Sequence, residues 1–269
     1  TDIGAGQRVQ VEFVSVNPTG PLHVGHARGA VIGSALANIL DAAGYEVERE
    51  YYLNDAGTQM DMFNQSLFVR YQQLFDRHAQ VPDEGYHGEY MVDLARELKT
   101  KEGDRFLDAP ETEAIRELGE LAMEMLVGAI RQDLERLRVS FDVWFSERTL
   151  YADKQYEMAI ELLRDRGFLT ERDGAVWFAG TVLGEEQDTV LVRRTGAPTY
   201  FASDVAYHYS KFVERRFDRV VNVWGADHQG HVSRMKAVMD ALGISPERLT
   251  LMISQMVSLK RDGEVVRAS

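Results

Sequence analysis

The chain has 269 residues, of which 45% are hydrophobic and 27% charged, and its formal net charge is −13, with 43 Asp and Glu against 30 Lys and Arg. These totals are ordinary for a soluble globular protein of one large or two small domains. The excess of acidic residues argues against a general nucleic-acid binder, although a local basic groove remains possible. No apolar run approaches the roughly 18 residues that cross a membrane, no signal peptide opens the chain, and the lack of cysteine excludes disulfides and thiolate metal sites.

These features predict a cytoplasmic protein with no membrane partner. The chain does not begin with Met, and it stops at VVRAS, an apolar and basic run without a closing signal. We therefore expect it to be a fragment of a longer protein.

The first 53 residues predict a β-α-β unit. Residues 7–16, QRVQVEFVSV, alternate apolar and polar side chains and predict a buried strand. After the NPTGP loop, residues 23–44 predict a helix that ends at Gly44, and residues 46–53 predict a second strand, parallel to the first. Glycine inside a helix costs up to about 1 kcal/mol relative to alanine, so the small inner face of this helix predicts close packing on a sheet. That face consists of Gly29, Ala30, Gly33, Ala35 and Ala37.

The middle of the chain is predicted to be helical. Apolar residues recur every three or four positions through much of 56–138. Within that span, residues 78–110 are polar with scattered Gly and Pro, which indicates an inserted helical excursion. Residues 139–147 then return to the pattern of a strand.

Further elements follow at short spacing. Residues 155–168 predict a helix, residues 168–178 predict a hairpin about an Asp173-Gly174 turn, and residues 188–194 predict another strand.

The last part of the chain returns to alternating strands and helices. Residues 201–214 predict a helix with Ser203 or Asp204 near its start. Residues 218–243 predict a strand, a glycine-containing loop and a helix, and residues 248–257 predict a final strand.

Strands that alternate with helices predict an α/β fold: a Rossmann-like, doubly wound parallel sheet, split by a helical and β-hairpin insertion. We assign residues 1–75 to the first half of this Rossmann-like domain, residues 76–195 to the helical and small β insertion, and residues 196–269 to the second half.

The stretch NPTGPLHVGHARGA, residues 17–30, indicates a phosphate site. It lies between the first strand and the first helix, at the sheet edge where such folds bind ligands. The start of the helix offers free N–H groups and a partial positive charge. His23 and His26 share roughly one face and can donate to phosphate oxygens, and Gly25 leaves room for a ligand.

Other interpretations of the two histidines remain open. They could be ordinary core or surface residues. They could also bind zinc, although no third Cys, His or Glu stands nearby at a recognised spacing.

Several motifs together resemble one enzyme family. HVGH after a Val-rich strand resembles the first signature of the class I aminoacyl-tRNA synthetases. The strings VEFVSVNPTGPLHVGHARGAVIGSALANIL, YYLNDAGTQ, PTYFASDVAYH and VWGADHQGH resemble the arginyl-tRNA synthetases, in the same order and over nearly the whole chain. The resemblance implies the class I synthetase fold and roles in catalysis and ATP binding for His23, Gly25 and His26.

Glu12, Tyr200 and Asp204 have both structural and functional interpretations. Glu12 could lie on the solvent face of a half-exposed strand, Tyr200 could belong to the core, and Asp204 could cap a helix. A planar guanidinium, by contrast, requires carboxylates in a fork-like arrangement. The resemblance assigns these three positions to the arginine side chain.

The resemblance also assigns residues to the rest of arginine and to ATP. Ser15 and Asn17 match positions that contact the α-amino and carboxylate groups of arginine. His228 matches another position that contacts this substrate. Gly225 and Asp227 match positions at the ATP nucleoside, where Asp227 would accept from ribose hydroxyls; a helix cap is the alternative role for Asp227.

The second signature of the family is a lysine-containing loop that contacts the ATP phosphates. Residues 267–269 match its first three positions, and the chain ends before the catalytic lysine. Lys260 and Arg261, beside an Asp262-Gly263 turn, could contact phosphate or lie on a solvated hairpin tip.

The resemblance implies an arginine–tRNA ligase that uses ATP to activate L-arginine and then transfers it to tRNA-Arg. It also implies Mg²⁺ bound to the ATP phosphates, and no metal site formed by the protein alone. It also implies that the first step waits for tRNA, so we expect a fragment without the tRNA-reading domains to bind substrates without full turnover. The alternatives are another class I synthetase or nucleotidyltransferase, and a non-catalytic relic that binds ATP and an amino acid.

Overall fold

The protein is described from a computed structural model, which covers residues 2–255, 257, 259–261 and 264–266. The first half of the chain contains β1 (Arg8–Glu12), α1 (Val24–Ala42), β2 (Glu46–Leu53), α2 (Thr58–Gln73), α3 (Glu89–Glu102), α4 (Glu111–Arg136), β3 (Val143–Ser146) and α5 (Arg148–Ala152). The second half contains α6 (Gln155–Asp165), β4 (Leu169–Arg172), β5 (Ala175–Phe178), β6 (Thr189–Val192), α7 (Tyr200–Tyr209), β7 (Arg219–Gly225), α8 (Val232–Ala241), β8 (Leu249–Ser254), β9 (Leu259–Arg261) and β10 (Glu264–Val266). Among the helical turns of other types are a π-helical turn, Ser210–Glu214, and a 3₁₀ turn, Ala226–His231.

The main sheet has five parallel strands in the order β3-β2-β1-β7-β8. The chain moves outward from β1 in one direction through β2 and β3, and then in the other direction through β7 and β8. This is the doubly wound arrangement, so the predicted fold class is confirmed. The strand order reverses between β1 and β7, where folds of this kind bind ligands.

Contacts divide the chain into two compact units. The sheet unit comprises residues 1–16, 23–53 and 137–269, and the helical unit comprises residues 17–22 and 54–136. The predicted division at 75 and 195 remains a prediction; β3 lies within its middle part but pairs with β2 in the main sheet.

Each unit has its own core. The core of the sheet unit lies around α6, α7, α8 and the strands and contains Val205, Val220 and Met235. The core of the helical unit is formed by α2, α3 and α4, and α3 occupies part of the predicted polar excursion because its inner face is apolar. That face consists of Met91, Leu94, Ala95 and Leu98.

The small face of α1 packs on the sheet at one of its two glycines. A Cβ at Gly33 would lie 2.1 Å from the Phe13 ring, so only glycine permits this approach. The prediction was wrong for Gly29, which has nothing within 4 Å of that position, and for the exposed Ala35.

Other local predictions also differ from the structure. The first strand ends at Glu12 rather than residue 16, since Val14 and Ser15 have positive φ values of 69° and 43°. α5 was not predicted. The Asp173-Gly174 turn is confirmed: both residues have positive φ, as a two-residue hairpin requires, and β4, β5 and β6 form a small antiparallel sheet.

A cluster of charged side chains is buried at β2. Arg215, which follows the π-helical turn, pairs with Glu48 and Glu50, and Glu50 is fully buried. Three side chains donate hydrogen bonds to the Glu50 carboxylate: those of Gln10, Tyr207 and Arg215.

Candidate active site

The candidate site lies in the sheet unit, where β1 and β7 pair as neighbouring parallel strands. Each of these strands leads through a loop into a helix, α1 after β1 and α8 after β7. The loops contain the two histidine-rich motifs, HVGH and GADHQGH. Both therefore emerge on the same side of the sheet, at the reversal of strand order.

The start of α1 is capped by histidines. His23 is the N-cap residue; its Nδ1 accepts a hydrogen bond from the Gly25 N–H at 3.1 Å, and its own N–H donates to Nδ1 of His26 at 3.2 Å. This is a capping box in which imidazoles replace the usual Ser and Glu. A neutral imidazole that accepts at Nδ1 must carry its proton on Nε2. Each ring that accepts in this way consequently has an Nε2–H donor.

The two imidazoles are close and His26 is neutral at physiological pH. The ring centroids lie 3.5 Å apart in a stacked arrangement. Burial, and next the neighbouring His23, lowers the pKa of His26 to about 4. His26 can thus act as a hydrogen-bond donor but not as a cation at pH 7.

A cavity of about 210 Å³ opens beside these histidines. His23, Gly25 and His26 line one side, and Gly225 and Asp227 line another. Because typical ligand pockets measure about 300–1,000 Å³, this cavity suits one part of a ligand of the size of ATP. All five residues assigned to ATP by resemblance thus line a single cavity.

The glycines of the two loops lie close to neighbouring side chains. A Cβ at Gly25 would lie 2.9 Å from the His23 ring, and one at Gly225 would lie 2.5 Å from Oδ1 of Asp227. Asp227 is not a helix cap, because Gly225 occupies that position in the 3₁₀ turn. The exposed Asp227 carboxylate lies 3.5 Å from Nε2 of His228, whose ring packs near Trp224.

Glu12 is buried rather than solvent-facing. Its side chain is 8% exposed, and its Oε2 accepts a hydrogen bond from Nζ of Lys211 at 2.6 Å. A buried carboxylate is costly without a cation, and Lys211 of the same chain supplies one. Sequence patterns did not single out Lys211, which lies among apolar residues of a predicted helix.

Asp204 lies in the second turn of α7 and does not cap it. Thr199 is the N-cap residue and accepts from the Ala202 N–H, so the alternative role of Asp204 as a helix cap was wrong. Tyr200 is the first residue of the helix, one turn before Asp204, and it is half exposed rather than part of the core.

The Asp204 carboxyl is in an acidic environment. Burial, followed by the nearby carboxylates of Glu12 and Glu147, raises its pKa to about 7. Among the residues that the structure describes, none donates a hydrogen bond to this carboxyl. The carboxylates of Asp204, Glu12 and Glu147 thus interact with one another, and Asp204 has no hydrogen-bond donor among the described residues.

Glu147 is the member of this group that the sequence analysis missed. It is 4% exposed and directly follows β3, where its N–H donates to the Leu53 carbonyl at 3.0 Å. It also raises the pKa of Tyr52, after the larger effect of burial. An acidic residue at the carboxyl end of a predicted strand was the available signal.

Ser15 and Asn17 lie in different units. Ser15 belongs to the sheet unit, where its Oγ accepts from the Tyr52 N–H at 3.0 Å. Asn17 is exposed in the helical unit and donates to Gln59 at 2.8 Å.

Across the described residues, no group of three or more His, Asp or Glu side chains could hold a metal ion. Within the same part of the chain, no helix is both long and apolar enough to span a bilayer. Residues 262–263 and 267–269, part of the second-signature prediction, lie outside the described residues, whereas Lys260 and Arg261 belong to β9.

Comparisons with known proteins agree with one another. The sequence profile of the family described as "tRNA synthetases class I (R), catalytic domain" matches residues 2–267. An arginine–tRNA ligase of Dehalococcoides mccartyi is 59% identical over 268 residues, which are 100% of this chain and 48% of that protein. One of Carboxydothermus hydrogenoformans is 55% identical over 267 residues, 99% of this chain and 48% of that protein.

Solved structures show the same relationship. A Campylobacter jejuni structure assigned as an arginyl-tRNA synthetase has a TM-score of 0.87 at 38% identity, covering 97% of this chain and 57% of that one. The Thermus thermophilus arginyl-tRNA synthetase, at 21% identity and a TM-score of 0.64 over 93% of this chain and 48% of that one, shares the fold. The chain spans about half the length of the curated relatives it matches.

Proposed function

Because this chain belongs to the catalytic-domain family of the class I arginyl-tRNA synthetases, we propose that it binds L-arginine and ATP and carries the chemistry of an arginine–tRNA ligase. In the first step an oxygen of the arginine carboxylate attacks the α-phosphorus of ATP, and the bond to pyrophosphate breaks. Arginyl-adenylate and pyrophosphate result. In the second step the arginyl group moves to the terminal ribose of tRNA-Arg, and AMP leaves.

One observation supports arginine above other amino acids: the donor-poor carboxyl of Asp204 lies among acidic neighbours. Its pKa is raised to about 7, chiefly by burial and then by Glu12 and Glu147. A guanidinium would donate to this carboxyl and balance the local negative charge. A neutral side chain of the same shape could not do so, and a lysine could not form the fork-like pair.

ATP is proposed to occupy the cavity beside the histidines. Its phosphates would lie at the start of α1, where the positive end of the helix dipole and the Nε2–H donors of His23 and His26 favour negative charge. Its nucleoside would lie at Gly225 and Asp227. The reaction needs no protein nucleophile, since positioning and stabilisation of phosphate charge carry it.

Mg²⁺ is proposed to enter with the ATP phosphates. It would neutralise phosphate charge, while the residues of this chain orient the two substrates. Transfer to tRNA-Arg is a proposal for the whole protein, since the chain spans about half the length of its curated relatives.

Calorimetric titration of this chain with L-arginine, in the presence and absence of ATP, tests the proposal. We expect L-arginine to bind, and citrulline to bind at least about 30-fold more weakly, because a carboxylate left without its charged partner costs about 2–5 kcal/mol. Lysine should also bind more weakly, since its ammonium group cannot form the fork-like pair. Citrulline keeps the shape of arginine and lacks its charge. Equal binding of arginine and citrulline would contradict a pocket lined by carboxylates, and tight binding of lysine would favour a different synthetase.

A further inference from the structure

A fully buried lysine lies beneath the acidic side chains, and the proposed chemistry does not use it. Lys211 has 0% exposure and belongs to the π-helical turn Ser210–Glu214 that follows α7. Such turns occur frequently at functional sites. Removing an ammonium group from water costs several kcal/mol unless it is paired, so the partners of Lys211 indicate its role.

Lys211 has three direct partners. Its Nζ donates to Oε2 of Glu12 at 2.6 Å and to Oδ1 of Asn222 at 3.0 Å. The same nitrogen lies 3.9 Å from the centre of the Tyr207 ring, a cation–π distance. Within the described chain, no residue donates to the second oxygen of Glu12. The contact therefore fixes one oxygen of Glu12 and leaves the other for a ligand.

A relay leads from Lys211 to Asp204. Because an ammonium group only donates, Asn222 must turn its oxygen toward Lys211 and its amide nitrogen toward Nε2 of His208, 3.0 Å away. Burial lowers the pKa of His208 to about 3, so the ring is neutral. Its proton must then be on Nδ1, which donates to the main-chain oxygen of Asp204 at 2.8 Å.

We propose that Lys211 is a positioning residue for arginine: it holds the Glu12 carboxylate directly and the backbone of Asp204 through a two-residue relay. The inference rests on the function proposed above. It assigns Lys211 no contact with either substrate. Its effect should therefore be seen in arginine binding and be absent from ATP binding, whose residues belong to other loops.

The charge of Lys211 should also affect how arginine binding depends on pH. The groups that interact electrostatically with Asp204 come from five parts of the fold: Glu12, Tyr52, Glu147, Lys211 and Arg234. Of these, Lys211 and Arg234 lower the pKa of Asp204. Removing Lys211 leaves one cation, so the carboxyl should ionise only at higher pH, and arginine requires the ionised form.

The test is calorimetric titration of wild type and Lys211→Met with L-arginine and, separately, with ATP, across a range of pH. Glu48→Gln is the matched control, since it removes a charge from the other buried cluster. We expect Lys211→Met to weaken arginine about tenfold or more and to change ATP affinity by less than about twofold. The midpoint of arginine binding, near pH 7 in wild type where Asp204 titrates, should move upward in Lys211→Met and stay in place in Glu48→Gln.

A second variant keeps the proposal falsifiable if Lys211→Met does not fold. Asn222→Ala retains the Lys211–Glu12 pair and interrupts the relay, so we expect arginine binding to weaken about three- to tenfold, with ATP unaffected. Wild-type arginine affinity in the variants, or an equal loss of arginine and ATP, would overturn the positioning role while leaving the proposed function intact. Failure of the wild type to bind arginine would instead overturn the proposed function, and the inference with it.

Discussion

The two charged clusters of the sheet unit differ in how their carboxylates are satisfied. Glu50, beside Arg215, accepts hydrogen bonds from three side chains of the protein. Asp204 accepts none from the described residues, although it lies among other carboxylates and its pKa is raised to about 7 by burial and then by Glu12. The fully buried Glu50 carboxylate, which is saturated with donors, serves the fold. The partly buried Asp204 carboxylate, which has no donor among the described residues, is open to a ligand with several N–H groups.

The largest effect should come from breaking the saturated cluster. Arg215→Met leaves Glu50 buried without its cation, and we expect a loss of about 3–5 kcal/mol in the free energy of unfolding. Urea denaturation measures it. Arg172→Met, which breaks an exposed ion pair with Asp188, is the control and should cost less than about 1 kcal/mol. A similar small cost for Arg215→Met would contradict the structural role.

Asp204→Asn tests the other cluster. We expect arginine affinity to fall at least about 30-fold, since the loss of one partner of a charge pair in the pocket costs about 2–5 kcal/mol. ATP affinity should be unchanged, and stability should not fall, because a repelling carboxylate has been removed. Calorimetry and denaturation provide the two measurements, with the exposed Asp240→Asn as a control. Unchanged arginine affinity would remove Asp204 from the pocket.

The same residue predicts a dependence of stability on pH. The folded pKa of Asp204 is about 7, above its ordinary value of 3.8, so the folded state binds more protons between these values than the unfolded state does. Its contribution to stability is therefore greatest below about pH 4, falls as pH rises toward about 7, and is lost above that.

Denaturation of wild type and Asp204→Asn at a series of pH values isolates this contribution. The difference in unfolding free energy between the two should change across that window in the direction given. Saturating L-arginine should diminish the change in wild type, because a bound guanidinium favours the ionised carboxyl. A constant difference would show that Asp204 has an ordinary pKa.

The smallest effect should come from a change outside both clusters. His26→Ala removes one proposed phosphate donor, and we expect ATP affinity to fall about tenfold, the size of one hydrogen bond to a charged group. Arginine affinity should remain that of wild type. His78→Ala, an exposed histidine of the helical unit, is the control. Normal ATP affinity in His26→Ala would argue against phosphate binding at the start of α1.

Local patterns predicted most of the strands and helices of the sheet unit. Alternating residues identified the β-α-β opening, and the Asp173-Gly174 pair identified its turn, because both signals depend on neighbours in sequence. The end of β1 could not be predicted in this way. Val14 and Ser15 adopt positive φ, which side chains other than glycine rarely do.

The candidate site was partly predictable for a similar reason. The histidine and glycine motifs stand in continuous segments, so a resemblance could identify them. Lys211 could not be found from its neighbours in sequence, since its importance arises from burial and from partners far away in the chain. Lys211 and Glu12 are 199 positions apart.

The capping box at the start of α1 also has a spectroscopic consequence. Because each imidazole accepts at Nδ1, the two rings carry their protons on the same kind of nitrogen, and the ¹⁵N resonances of His23 and His26 should have the pattern of that single tautomer. Phosphate oxygens that approach the Nε2–H groups would shift those resonances without moving the capped Nδ1 nitrogens. The Nε2 resonances of His23 and His26 would therefore report nucleotide binding at the start of α1.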